Sequence, residues 1–182
     1  MSKLTNEIDV NAATGFAEAV INSPTRGIAR FTTTSRWREQ TRVDAEVTSY
    51  SLGGEEIPRS FTIASDEPNE LLGKNSAPNP QELLMAAMNA CMIVGYVANA
   101  AARGIQLEKL EIETTGELDL RGFLGLSEDV KPGYESLKYT IRVQGDATES
   151  QFKELHEHIQ KTSPNYFNIS HPIRLNGELV VE

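Results

Sequence analysis

Apolar and polar positions along the chain follow two rhythms, and the longest apolar run lies between them. From Asn79 to Gly104 the sequence reads NPQELLMAAMNACMIVGYVANAAARG, with no charged side chain between Leu83 and Ala102. Its ends carry helix signals. Asn79 suits the N-cap, Pro80 the first helical position, and Glu82, three residues after the cap, can accept from a free amide. Arg103 followed by Gly104 suits the C-terminal stop. A helix of roughly 24 residues is a rod of about 36 Å. Apolar residues occupy nearly every side, which predicts a central helix buried all round.

The flanking segments alternate with period two or recur with helical spacing. Residues 9–22 predict a short amphipathic helix with Phe16, Ala19 and Val20 on one side, ended by Ser23-Pro24. Thr, Val, Phe and Trp then dominate, predicting strands over 28–37, 41–52 and 57–64 with Gly53-Gly54 between the last two. A loop over 66–78, with Pro68, Gly73 and Pro78, leads into the central helix. After it, Leu110, Ile112, Thr114 and Leu118 face one way and Glu111, Glu113, Glu117 and Asp119 the other. The Gly/Pro loop RGFLGLSEDVKPG separates this strand from a second, with Leu137, Tyr139, Ile141 and Val143 inward. Thr148 and Gln151 form a capping box for a helix carrying Phe152, Leu155 and Ile159 at helical spacing. Ser163-Pro164 stops that helix, an irregular segment follows, and Pro172–Val181 predicts a closing strand. The order implies an α+β domain in which antiparallel sheets wrap a hydrophobic helix. Residues 1–25 read as an N-terminal helical extension and 26–182 as the domain. One subunit's sheet offers too little surface to cover such a helix, so a partner subunit is expected.

Composition narrows the function classes. The chain has 182 residues, 39% hydrophobic and 24% charged, as a globular domain with a real core requires. A net charge of −9 argues against nucleic acid or an anionic membrane as partner. The central run is long enough to span a bilayer. Its alanine content, Asn89 and Asn99, and the charged strands after it favour a buried helix instead. The first residues, MSKLTNEIDVNAATG, lack the apolar core of a signal peptide, so the cytoplasm is expected and the Asn168 glycosylation triplet reads as chance. His156 and His158 point in different directions on their helix and His171 is isolated, so no metal site is expected, and no cofactor motif is present. Gly122 and Gly125 lack the strand-to-helix setting of a phosphate loop.

Cys91, the single cysteine, sits near the midpoint of the central helix. A thiol there is either packing, as buried cysteines commonly are, or a nucleophile that needs a nearby cation to favour its thiolate. Arg30, Arg36, Arg42 and Arg59 are the cation candidates in the strand region. Glu82 is either the far half of a capping box or a catalytic acid. Nine residues of helix put Glu82 and Cys91 on opposite faces, about 13.5 Å apart along the axis, so within one straight helix they do not touch. Tyr96, Tyr166 and Phe167 read as core or interface aromatics.

The segment PNPQELLMAAMNAC, followed by a long helix ending AARGI, resembles the OsmC/Ohr family, named for osmotic induction and organic hydroperoxide resistance. The resemblance runs from about Arg26 to the end. GELDLRGFLGLSEDVKPGYE is similar to an OsmC-like subgroup with an N-terminal helical extension. It implies an intertwined homodimer with long central helices enclosed by antiparallel sheets. It also implies reduction of organic hydroperoxides by a cysteine pair, aided by an arginine and a glutamate. Cys91 matches the peroxidatic cysteine and Glu82 the helix-start glutamate. Ser163, before Pro164, stands where the second cysteine is usual. The window expected to hold the arginine, FTIASDEP, is acidic, which leaves Arg59 and Arg42 as the cation candidates. The implied function is a one-cysteine peroxidase using a small hydrophobic hydroperoxide and an external thiol reductant. The alternatives are a non-catalytic dimeric binding protein for a small hydrophobic ligand and a cysteine-based redox sensor.

Overall fold

Chain-local signals build most of the elements in the computed structural model, which describes residues 4–182. The first three residues of the expected extension lie outside the described residues. The chain divides into two compact units, one up to Ala86 and one from Ala87 onward.

In the first unit, β1 (Leu4–Thr5) and β2 (Ile8–Asp9) form a small hairpin. Asp9 then N-caps α1 (Val10–Asn22) by accepting from the amides of Asn11 and Ala12. The strand expected over 28–37 is broken into β3 (Ala29–Phe31) and β4 (Thr34–Glu39). These pair antiparallel with opposite ends of β5 (Arg42–Leu52), while β6 (Glu55–Ser65) runs along its whole length. Gly53 and Gly54 have φ of 60° and 91°, as a tight β5–β6 turn requires.

The register sorts the β4–β6 sheet into two unlike faces. Arg36, Arg38, Arg42, Asp44 and Glu46 share one, tied by Arg36–Glu46, Arg38–Asp44 and Arg42–Asp44 ion pairs. Trp37, Val43, Ala45, Val47, Phe61 and Ile63 share the other. That apolar face is largely bare: Val47 is buried, but Trp37 is 72% and Phe61 61% exposed.

The loop after β6 is organised around a buried carboxylate. Asp66 accepts from the hydroxyls of Thr41 and Ser76, each at 2.7 Å, and from the backbone amides of Glu67, Lys74 and Ser76. Those hydroxyls, Ser76 first, hold its carboxyl far below the usual range. A Cβ on Gly73 would lie 1.8 Å from the Glu67 carbonyl oxygen, so only glycine fits the return of this loop. It delivers the chain to α2 (Pro80–Ala102), where the amide of Asn79 donates to Glu82 and the amide of Glu82 donates to Asn79. The expected capping box is complete.

In the second unit, α2 buries one stripe, Met88, Met92, Tyr96 and Ala100, at four-residue spacing. Among the described residues α2 is the one helix long and apolar enough to cross a membrane. Its polar residues bond inside the unit: Asn89 donates to the carbonyl of Ile112 and accepts from the Thr114 hydroxyl. The expectation of burial on all sides is corrected. Val94 is 68% exposed, because the cover within this unit reaches only one side of the helix.

That cover is β7 (Leu107–Gly116), β8 (Leu137–Gly145) and α4 (Glu149–Thr162). The two strands pair antiparallel and turn Leu110, Ile112, Tyr139 and Ile141 onto the core. Between them the expected loop contains a short helix, α3 (Leu120–Phe123), started by Asp119. The Thr148–Gln151 capping box starts α4, whose Leu155 and Ile159 are fully buried. The irregular segment expected after Ser163 is a helix, α5 (Pro164–Ser170). Ser163 closes α4, and its hydroxyl accepts the Tyr166 amide to open α5. The closing strand expected over 172–181 is absent. Among the described residues β7 and β8 pair only with each other, and Ile173, Leu175, Leu179 and Val181 join neither open edge and stay exposed.

Candidate functional site

Cys91 lies on α2 one turn beyond Ala87, half-buried, and its thiol meets one polar side chain. The Ser163 hydroxyl donates to Cys91 Sγ at 3.5 Å. Ser163 is only 4% exposed, and its place is fixed from several directions. Its amide donates to the Ile159 carbonyl at 2.8 Å, and its carbonyl accepts from Phe167 at 3.0 Å. Next along, Asn165 Nδ2 donates to the carbonyl of Ala87 at 2.9 Å, tying α5 to the turn of α2 that precedes Cys91. The Ser163 oxygen accepts the Tyr166 amide at 3.5 Å, so its own hydrogen is free for the sulfur. A hydroxyl donor beside sulfur can stabilise negative charge on an oxygen attached to it.

The other candidates are engaged elsewhere. Glu82 is exposed, and the capping box uses both its amide and its carboxylate. Arg42 belongs to the first unit, where it donates to Asp44 at 2.9 Å and to the Ser76 hydroxyl at 3.0 Å. Hydrogen bonds from Arg42 and then Arg38 hold the Asp44 carboxyl below its ordinary range. Arg59, in the same unit, forms no ion pair among the described residues. Its guanidinium sits 4.9 Å from the Tyr50 ring centroid and 5.7 Å from that of Phe61. Among the described residues no group of three His, Cys, Asp or Glu side chains could hold a metal.

Two residues that sequence spacing did not bring together meet in the second unit. The Tyr96 hydroxyl lies 2.5 Å from His156 Nδ1, with the rings nearly parallel at 18°. Burial pushes the tyrosine well above its ordinary value and pushes the histidine down. Helical spacing marks Tyr96 as an inward residue, but only the packing of α4 on α2 identifies its partner, sixty positions on.

The chain matches a family model described as OsmC-like protein over residues 73–178. No curated protein sequence matches it. Several solved structures share the fold. An OsmC-like protein from Mycoplasma pneumoniae has a TM-score of 0.62 at 18% identity, covering 79% of this chain and 89% of that one. An OsmC-like protein of unknown function from Vibrio cholerae gives 0.54 at 15% identity, covering 76% and 92%. A Legionella pneumophila structure, described as an organic hydroperoxide resistance protein OsmC, gives 0.51 at 18% identity, covering 76% and 89%. The α+β fold of antiparallel sheets and helices is the fold these structures share.

Proposed function

The chain belongs to the OsmC-like protein family, and from that premise we propose that it reduces organic hydroperoxides through Cys91 alone, an external thiol completing each cycle. The Ser163–Cys91 hydrogen bond carries this reading. It gives the sulfur a donor, and it fills with a hydroxyl the position from which a second thiol would attack.

The Cys91 thiolate attacks the distal oxygen of the hydroperoxide. The O–O bond breaks, and the departing alkoxide takes a proton to leave as the alcohol. Sulfur, now oxidised by two electrons, carries the transferred oxygen as a sulfenic acid. An external thiol attacks that sulfur and releases water, leaving a mixed disulfide. A second thiol attacks the disulfide, releasing the oxidised external pair and restoring Cys91. The reducing cytoplasm is the compartment that supplies such thiols.

The working form is a homodimer, in which the bare sheet face of one copy covers the exposed side of α2 in the other. The exposure of Trp37, Phe61 and Val94 supports that assembly. Arg59 is the cation assigned to the departing alkoxide, because it lies over Tyr50 and Phe61 and forms no ion pair among the described residues. Arg42 is already committed to Asp44. Glu82 is assigned to the helix start. The substrate is accordingly a small hydrophobic hydroperoxide.

Intact-mass analysis after limiting cumene hydroperoxide tests the chemistry. The wild type gains one oxygen atom and then, with a small thiol, a mixed disulfide. The Ser163→Cys variant instead loses two hydrogens within one chain, since a disulfide needs a Cα separation of about 4.4–6.8 Å and the two side chains already touch. A wild type that takes up no oxygen sinks the peroxidase reading and leaves a binding protein. A variant that forms no bridge sinks the role assigned to position 163.

A further inference from the structure

The second unit holds a cleft of about 390 Å³ whose lining includes neither Cys91 nor Ser163. Its walls come from the outer part of α4 and the inward side chains of β8. Tyr96, Tyr139, Ile141, Phe152 and His156 supply an apolar and largely aromatic interior. Clefts of roughly 300–1,000 Å³ with such walls and few polar groups are the usual form of a small-molecule site.

The polar group inside is defined by its hydrogen bond. The Tyr96 hydroxyl is buried and, among the described residues, bonds to His156 Nδ1 alone, so it must donate to that nitrogen to be satisfied. Burial, outweighing the nearby Glu157 carboxylate, pushes His156 below its ordinary value, which favours the neutral ring near pH 7. Its single proton therefore sits on Nε2, which has no hydrogen-bond partner among the described residues. The cleft thus offers one N–H donor between aromatic rings. Tyr139 lies with its ring centroid 6.1 Å from that of His156, and Gln160 already occupies its hydroxyl at 2.7 Å. At the mouth Lys153 pairs with Glu149 at 2.6 Å, while Glu157 forms no ion pair among the described residues. The entrance is therefore unfavourable to an anion.

We propose that this cleft between α4 and β8 binds a small uncharged aromatic compound bearing a hydroxyl or carbonyl oxygen, which accepts a hydrogen bond from His156 Nε2. The site is separate from the thiol and stands whether or not Cys91 reduces peroxides. The aromatic walls select a flat ring, the nitrogen selects an oxygen acceptor, and the acidic mouth rejects the corresponding carboxylate.

Three probes with the same ring system separate these features: 2-naphthol, naphthalene and 2-naphthoate. The full chain, labelled with ¹⁵N in histidine, is titrated with each, and the His156 ring resonances are identified by their loss in His156→Gln. Saturable movement of the His156 signals by 2-naphthol, with His158 and His171 unmoved, is the expected result. Naphthalene should bind about tenfold more weakly, the value of one hydrogen bond of about 1.4 kcal/mol, and 2-naphthoate more weakly than 2-naphthol. The Cys91→Ser variant should bind 2-naphthol as the wild type does. Absence of a saturable His156 shift overturns the proposal. So does equal affinity for the carboxylate, or loss of binding in Cys91→Ser, which would place the probe at the thiol.

Discussion

Leu155 and Ile159 in the second unit are sealed against Met92 and Tyr96, whereas Trp37 and Phe61 in the first stand open on an equally apolar surface. Both units show the same alternation of inward and outward residues. The difference lies in what covers the inward side. In the second unit α2 and α4 lie over the β7–β8 hairpin, so the apolar surface is removed from water by the unit's own residues. In the first, α1 has no buried residue and cannot play that part for the sheet. One half of the chain therefore carries its own hydrophobic stabilisation, and the other would obtain it by association in the proposed dimer. Apparent stability of the first half should then depend on protein concentration, as for any state favoured by binding.

Phe61→Glu should break this comparison most severely. A charge on the open sheet face is nearly neutral for a free subunit but intolerable in a dimer core, where central aromatic residues contribute about 2 kcal/mol or more. Light scattering at low micromolar concentration should move from twice the chain mass to the single mass. Hydrogen exchange should quicken in β4–β6 while β7, β8 and α4 stay protected. A wild type that is already monomeric, with both units equally protected, would remove the distinction.

Leu155→Ala addresses the other side. Truncating a fully buried leucine should cost about 2–5 kcal/mol. Urea unfolding should show that loss in probes of the second unit. If the loss appears equally in the first at every protein concentration, the units unfold as one block.

A smaller effect sharpens the comparison by pH. Asp66 titrates lower in the folded chain than the ~3.9 of an unfolded aspartate, so the folded state binds fewer protons. Its stabilisation is fully present above about pH 4 and falls away as pH drops toward the folded value. Between pH 5 and pH 3 the Asp66→Asn variant should show a shallower loss of stability than the wild type, confined to probes of the first unit. An unchanged slope would remove Asp66 as the anchor of its loop.

Legibility followed the reach of each interaction. Asn79–Glu82 and Thr148–Gln151 were readable because a capping box spans three residues. The strands of β5 to β8 were readable because alternation is local. The break between Phe31 and Thr34 was not, since it depends on which part of β5 each fragment meets. Residues 172–181 have a strand's alternation but pair with no strand, although β7 and β8 each leave an edge open, so alternation by itself does not decide pairing. Ser163-Pro164 was read as a stop, yet the same pair is also a start, with serine as cap and proline in the first turn. Cys91 was visible as the single thiol, and the relevance of Ser163 came from the family resemblance. The Tyr96–His156 pair was hidden because it forms only when α4 packs on α2.

The hinge between α4 and α5 has a consequence for the history of this chain. Ser163 owes its backbone position to bonds with Ile159 and Phe167 and to the Asn165 tether, to which its hydroxyl adds only a 3.5 Å contact from the Tyr166 amide. Exchanging that oxygen for sulfur would leave this scaffold standing. Most serine codons reach cysteine by a single base change. A chain that uses one of those codons at position 163 sits one mutational step from carrying its own resolving thiol, so a lineage could gain or lose reliance on cellular thiols without rebuilding the fold.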